Sequence, residues 1–308
     1  MTSDPALAPK LLILGGSGQV GQACQTAARQ RGYDFVAPAR AELDIRDAAA
    51  IAARIAATKP DVVINAAAYT AVDQAESEPD AAFAINHFAA GAIAHACAAH
   101  ARPLIHLSTD YVFDGRKQGP YLPADPVNPL SVYGRSKEAG ERAIRAACPL
   151  HVILRTSWVF SATRQNFVKT MLRLGRTRPS LRIVDDQRGC PSGAPQLGRD
   201  IVAIALRLAE NSDDRCWGTY HLCGAEPVAW YGFAGEIFRQ QAALIGRKGP
   251  KLEPIASADY PTAAARPANS VLDCGATLRR FGLAPADWRA DLRDVIGQLT
   301  AAEEGVQA

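Results

Sequence analysis

KLLILGGSGQVG, residues 10–21, decides the fold. The apolar run ending at Leu14 reads as a buried strand, and QVGQACQTAARQR after it reads as a helix stopped by Gly32. Gly15, Gly18 and Gly21 punctuate the join with a GxxGxxG spacing. Glycine lets the backbone come close to a pyrophosphate. A helix beginning near Gln19 offers that anion free N–H groups and a positive dipole end. A glycine-rich string is weak evidence alone, but between a strand and a helix it marks the dinucleotide fold.

The same alternation continues outward. YDFVA, DVVINAAA, PLIHLS and HVILRTS read as further strands. Helices are expected over RDAAAIAARIAATK, over the Ala-rich stretch 74–101, and over the segment that begins at Val132. Continuous apolar strands separated by helices imply a parallel sheet covered on both faces. The fold class is therefore α/β, a Rossmann-type doubly wound parallel sheet over residues 10–158. After Trp158 the rhythm breaks into helices, Pro- and Gly-rich turns and short strands. Residues 159–300 are expected to form mainly a smaller, irregular substrate-binding lobe at the sheet's carboxyl edge, with return of some segments to the first domain left open. Residues 1–9 and 301–308 read as loose tails.

Composition narrows the function classes. The 308 residues carry 34 basic and 31 acidic side chains, a net charge of +3. So small an excess does not suggest a nucleic-acid surface. Seven scattered cysteines without a CxxC pair imply buried free thiols rather than a disulfide framework or zinc site. The start MTSDPALAPK does not read as a secretory signal. No apolar stretch is read as approaching the ~20 residues of a membrane span. A soluble cytoplasmic protein is expected, with no nucleic-acid or membrane partner.

Chemistry gathers in two further stretches. SerThrAsp at 108–110 closes the fourth strand, and NPLSVYGRSK at 128–137 places Tyr133 and Lys137 one turn apart on a helix. Tyrosine ordinarily ionises near pH ~10, too high for proton exchange at neutrality. A nearby ammonium and the positive ring of an oxidised nicotinamide would lower it. The Thr109 hydroxyl can hydrogen-bond a carbonyl oxygen as charge grows on it. Together these parts reduce a carbonyl, with Lys137 holding the cofactor ribose and tuning the phenol. The second strand ends APAR, without the acid that usually holds the ribose of NAD. Arg40 stands there as a surface arginine or as the partner of a 2′-phosphate, a lean toward NADPH with NADH as the alternative.

The order GxxGxxG, NAAAYTAVDQAE, STDYVFDG, NPLSVYGRSK, RTSWVF and RPANSVLD resembles the extended short-chain dehydrogenase/reductases and, within them, the dTDP-4-dehydrorhamnose reductase family, over nearly the whole chain. The resemblance implies reduction of the C4 carbonyl of dTDP-4-dehydro-β-L-rhamnose by NAD(P)H, the last step of dTDP-rhamnose synthesis. By that likeness Gly15, Gly18, Gln19, Val20 and Gly21 meet the pyrophosphate, Asp44 and Ile45 the adenine, and Ala67, Ala68 and Thr70 the middle of the cofactor. Tyr133 is then the proton donor, Lys137 its partner and Thr109 the group polarising the carbonyl. Val72, Asp110 and Trp158 hold the sugar; core packing for Val72 and Trp158, and a turn cap for Asp110, are the plainer readings. Arg266 stands as a candidate for the diphosphate or as a structural ion pair. Two rivals share the fold: a nucleotide-sugar epimerase or dehydratase, and a non-catalytic NADP-binding subunit like the regulatory subunit of methionine adenosyltransferase.

Some family members form a magnesium-linked dimer through glutamates on the first helix and after a GxPxG turn. The corresponding residues here are Ala23 and Pro195, which offer no side-chain oxygen to a hard cation. No metal is expected, and the chain is read as a monomer or a metal-independent dimer. EDTA should leave the oligomeric mass in sedimentation and the enzymatic rate unchanged; a shift to smaller species would contradict this.

Overall fold

A computed structural model of the chain describes residues 9–210 and 216–307. The expected N-terminal tail lies outside the described residues through position 8. Strands β1 (Leu11–Leu14), β2 (Phe35–Val36), β3 (Val62–Asn65), β4 (Leu104–Thr109) and β5 (His151–Thr156) are joined in one sheet by β10 (Gly218–His221). The order is β10-β5-β4-β3-β1-β2, and every pairing is parallel. Strand order reverses between β1 and β3, where Leu14 pairs with Asn65. The crevice beyond that switch point is where such a sheet receives a ligand.

Side chains alternate across the strands, and both faces are dry. Leu11 and Ile13 pack with Val20, Cys24, Leu197 and Ile201, from α1 (Gln19–Gln30) and α7 (Ala194–Glu210). Leu12 and Leu14 face the other way, onto α2 (Ala48–Thr58), α4 (Ala90–Ala99) and α5 (Val132–Ala147). A strand buried on both faces has no polar alternation to display, which is why these strands read as unbroken apolar runs. The segment after Trp158 serves two units. Helix α7 covers the sheet beside α1, Ala23 lying against Gly198, while β10 extends the sheet's edge. The rest forms a lobe around Phe160, Phe233, Trp288 and Leu292. It contains β7 (Ser180–Val184) paired with β12 (Lys251–Ile255), and α6 (Phe167–Gly175) packed on α8 (Trp230–Ile245).

Three expectations need correction. The stretch 74–101 is not one helix: a 3-10 turn (Gln74–Glu76) precedes α3 (Pro79–Phe83), which passes through a π segment (Ala84–Ala89) into α4. Pro79–Ala99 is also 21 residues long and contains an 18-residue window with a mean hydropathy of 1.3, so by length and composition it does match a membrane span. Half of that window is buried against the rest of the fold, as a core helix requires. Finally, the last helix, α10, runs Trp288–Gln307 through most of the expected C-terminal tail, whose alanines and glutamates favour helix.

Buried polar groups lock α5 to the sheet. Glu141 accepts Ser108 Oγ at 2.5 Å from β4, and Arg155 Nε and Nη2 at 2.9 and 2.7 Å from β5. Arg145 adds a contact at 3.1 Å. One turn away Asn86, within the π segment, donates to Ser136 and exchanges two hydrogen bonds with the Tyr69 backbone. The Asn86 carbonyl sits so close to α5 that a Cβ on Gly140 would lie 2.0 Å from its oxygen. Gly140→Ala is therefore expected to cost ~3 kcal/mol by overpacking, read as a Tm lowered by several degrees in calorimetry.

Candidate active site

The glycine turn is built for close approach. Gly15 has φ +77°, and a Cβ there would lie 2.5 Å from Ala67 N across the switch point. A Cβ on Gly21 would lie 2.2 Å from the Gly15 carbonyl, which accepts Gly18 N–H at 2.9 Å. A cleft of about 800 Å3 opens here between the turn after β1, the loop carrying Arg40, Asp44 and Ile45, and Ala66–Ala68. A dinucleotide fits this cradle, because the backbone N–H groups at the start of α1 are bare of side chains that would block an anion.

The structure sorts the residues assigned to the cofactor. The Gln19 side chain is already engaged: its Oε1 accepts Ser161 Oγ at 2.7 Å and Asn166 Nδ2 at 3.0 Å. Val20 is buried in the core. Val20 can offer only its backbone N–H, and Gln19 its backbone N–H and its side-chain NH2, the oxygen being taken. Asp44 and Ile45 line the cleft, but the Asp44 carboxylate is gripped by Arg46 at 2.5 Å, which lowers its pKa to about 2. Arg46 joins Arg40 on the cleft wall, so two guanidinium groups flank the adenosine end. Thr70 is exposed on the segment after the cleft-lining alanines. Arg164, absent from the sequence reading, donates from Nε to Ser17 O at 2.8 Å and brings a cation from the lobe to the glycine turn.

Thr109, Asp110 and Tyr133 meet at the carboxyl end of β4. Ser131 caps α5 by accepting Gly134 N–H at 3.1 Å, and Glu76 accepts Val132 N–H at 2.7 Å. The helix therefore starts with Tyr133 against the strand end, its ring edge-on to Tyr111 with centroids 5.9 Å apart. Burial pushes the phenol up to about 12, a hydrogen bond with Thr109 opposing the rise. Burial, Thr109 and Asp110 set this balance, and Lys137 makes no contribution to it in the absence of a cofactor. Lys137 Nζ instead donates to Leu107 O at 2.6 Å and meets His106 Nε2 at 3.2 Å. Its own pKa falls to about 8 through burial, with Glu141 opposing.

The remaining residues extend this corner into the lobe. Asp110 is buried; its Oδ1 accepts Thr109 Oγ1 at 3.0 Å, and its Oδ2 has no hydrogen-bond partner among the described residues. Burial raises this carboxyl to about 7 against hydrogen bonds from Ser270 and Thr109. Trp158 stands at φ +47°, an uncommon conformation for so large a residue, with its indole stacked on Trp230 at 3.4 Å. Trp230 in turn lines a second cleft, of about 1610 Å3, with Phe167, Arg178, Arg182, Tyr260 and Arg266. Arg266 lines this cleft, and its Nη2 pairs with Asp73 Oδ2 at 2.6 Å, the structural ion pair that was one of its two readings. Val72 is half-buried beside Asp73.

Residues 9–301 match the family described as the RmlD substrate binding domain. The chain is 42% identical to a dTDP-4-dehydrorhamnose reductase of Sinorhizobium fredii, covering 94% of this chain and 97% of that one. It is 39% identical to the dTDP-4-dehydrorhamnose reductase of Escherichia coli K12, with the same coverage. Among solved structures, the dTDP-4-dehydrorhamnose reductase of Bacillus anthracis in complex with NADP superposes with a TM-score of 0.86 at 32% identity, over 94% of this chain and 99% of that one.

Asp110 gives a stability signature independent of turnover. Its folded pKa of about 7 lies above the ordinary 3.8, so between these values the folded state holds more protons than the unfolded. The stability this contributes is complete below pH ~4 and is lost as pH rises through ~7. Asp110→Asn should remove that loss. Chemical denaturation above pH 7 should find the variant more stable than wild type by a few kcal/mol, on the order set by a shift of this size, and the difference should vanish near pH 4.

Proposed function

The chain belongs to the RmlD family of dTDP-4-dehydrorhamnose reductases, and we propose that it reduces the C4 carbonyl of dTDP-4-dehydro-β-L-rhamnose to give dTDP-β-L-rhamnose. The observation that carries this reading is the corner at the end of β4, where Tyr133 is bonded to Thr109 one strand over from β3, which leads into the Ala66–Ala68 wall of the cleft. NADPH, when bound, supplies the hydride. Arg40 and Arg46 suit its 2′-phosphate, which favours it over NADH.

The chain's own residues do the rest. The N–H groups after Gly18 hold the pyrophosphate, and Ala67 and Ala68 wall the middle of the cofactor. Thr109 Oγ1 and the phenol of Tyr133 converge on the carbonyl oxygen. The phenol gives its proton to that oxygen as negative charge develops there. A phenol kept neutral by burial is a loaded acid, and the amine of Lys137 one turn on supports the phenolate it leaves. Asp110, with one unpartnered carboxylate oxygen, accepts a sugar hydroxyl. The stacked indoles of Trp158 and Trp230 give the sugar ring an apolar wall leading toward the arginine-lined cleft. That cleft suits the diphosphate and the base.

A dehydratase would use a carboxylate pair beside the tyrosine. Thr109 is followed here by one aspartate and then by Tyr111, which fits a reductase better. The setting inferred is cytoplasmic, consistent with free thiols at all seven cysteines, and the working form a monomer or a dimer that needs no metal.

NADPH oxidation followed at 340 nm, on adding dTDP-4-dehydro-β-L-rhamnose, tests the reading. Wild type should turn over, and Tyr133→Phe should lower kcat by about 10²–10⁴ with little change in KM, the loss expected of a general acid. A folded wild type that binds NADPH and never oxidises it would mean that the corner serves a regulatory subunit or another sugar.

A further inference from the structure

What surrounds the amine of Lys137 restricts what that amine can be. His106, buried in the centre of the sheet, turns Nε2 to Lys137 at 3.2 Å and Nδ1 to Asn65 Nδ2 at 3.0 Å. With Asn65 Oδ1 occupied by Ala67 N–H at 3.1 Å, the side chain presents its NH2 to the imidazole in this arrangement. An amide NH2 only donates, so Nδ1 accepts and a neutral imidazole carries its proton on Nε2. That N–H then points at Lys137, which can accept it only as a neutral amine. If Lys137 is an ammonium, the chain inverts: Nε2 accepts, Nδ1 carries the proton, and the Asn65 amide turns over, giving up its bond from Ala67 N–H.

The neighbouring charges do not offer the lysine another partner. Glu141, on its own helix, acts on it but is held by Arg155 from β5 and by Arg145. Tyr133, one turn before, is neutral, and Asp110 at the end of β4 acts on Tyr133. Burial pushes the imidazole well below its ordinary pKa, with Lys137 adding to the effect, so His106 stays neutral in both arrangements.

We propose that Asn65 and His106 are positioning residues that set the protonation of Lys137, the imidazole tautomer and the lysine charge changing together. When Lys137 loses its proton, that proton passes to Nε2 and the Nδ1 proton leaves for solvent; one proton is lost in total. Asn65 immediately precedes the alanines that wall the cofactor cleft, so the chain Asn65–His106–Lys137 ties the seat of the cofactor to the catalytic amine. This inference rests on the reading of Lys137 as the partner of Tyr133.

The test is nitrogen NMR of the full chain labelled with 15N-histidine, from pH 6 to 10, alongside the pH profile of kcat. The His106 signal is assigned with His106→Gln. His106 should carry its proton on Nδ1 at the acid end and on Nε2 at the alkaline end, crossing where Lys137 titrates, at about 8. Asn65→Asp keeps an oxygen for Ala67 N–H and presents a second to Nδ1. It should hold the Nδ1–H form throughout and move the alkaline limb of kcat up by one pH unit or more, a tenfold or greater change in proton affinity. His106→Gln, which retains a polar group near the Nε2 position, should lose less activity than His106→Leu. One tautomer across the whole range in wild type, or an unmoved alkaline limb in Asn65→Asp, overturns the proposal. Failure of wild type to oxidise NADPH would overturn the reductase reading instead, since the tautomer record needs no turnover.

Discussion

The carboxylate of Glu141 is the constraint on which the site depends. It is fully buried, and burial alone would drive it neutral; the hydrogen bonds and charge of Arg155, with Ser108 and Arg145, outweigh that and hold it ionised. Its partners come from two adjacent strands, so one charged group fixes the slide and rotation of α5 over the sheet. Tyr133 and Lys137 ride on that helix, and their placement follows from it. Such pairs are poor sources of net stability compared with apolar packing, and breaking one by removing a single partner costs roughly 3–5 kcal/mol. The gain here is geometric: an apolar helix face could settle at more than one register, whereas a carboxylate with three fixed donors has one.

The same dryness governs the chemistry. Asp110, Tyr133 and Lys137 are each pushed toward their neutral forms, first of all by burial. Interactions between groups so placed are far stronger than at a solvated surface. A carbonyl entering this corner meets a protonated phenol and a threonine hydroxyl that need little rearrangement to receive the developing charge. The cost is stored instability, visible in the unpartnered oxygen of Asp110 and in the left-handed backbone of Trp158. Both lie where the sugar is proposed to bind.

Much of this was legible in the residues. A buried strand ending in glycines and the YxxxK pair are local patterns, set by short-range sterics and helical periodicity, and they led to the sheet, the cradle and the catalytic corner. Other features were hidden because they depend on partners distant in the chain. Nothing near Gln19 announces that its side-chain oxygen is taken by Ser161 and Asn166, more than 140 residues away. Nothing in the strand PLIHLS singles out His106, since its partners Asn65 and Lys137 lie 41 and 31 residues off. The run from Pro79 to Ala99 was misjudged for a related reason. Its apolarity is spent on helices and strands that only the fold brings against it, and a π segment within it aims Asn86 at α5.

By itself, then, the sequence determined most of the element order, the parallel sheet, the switch-point cradle and the types of residue proposed for the chemistry, because these follow from local backbone preference and periodic burial. Tertiary structure alone decided which ionisable groups are neutral, which side chains are free to meet a ligand, and what holds the lysine. Those properties are set by dielectric environment and by hydrogen-bond partners brought together across the sheet. No window of neighbouring residues contains them.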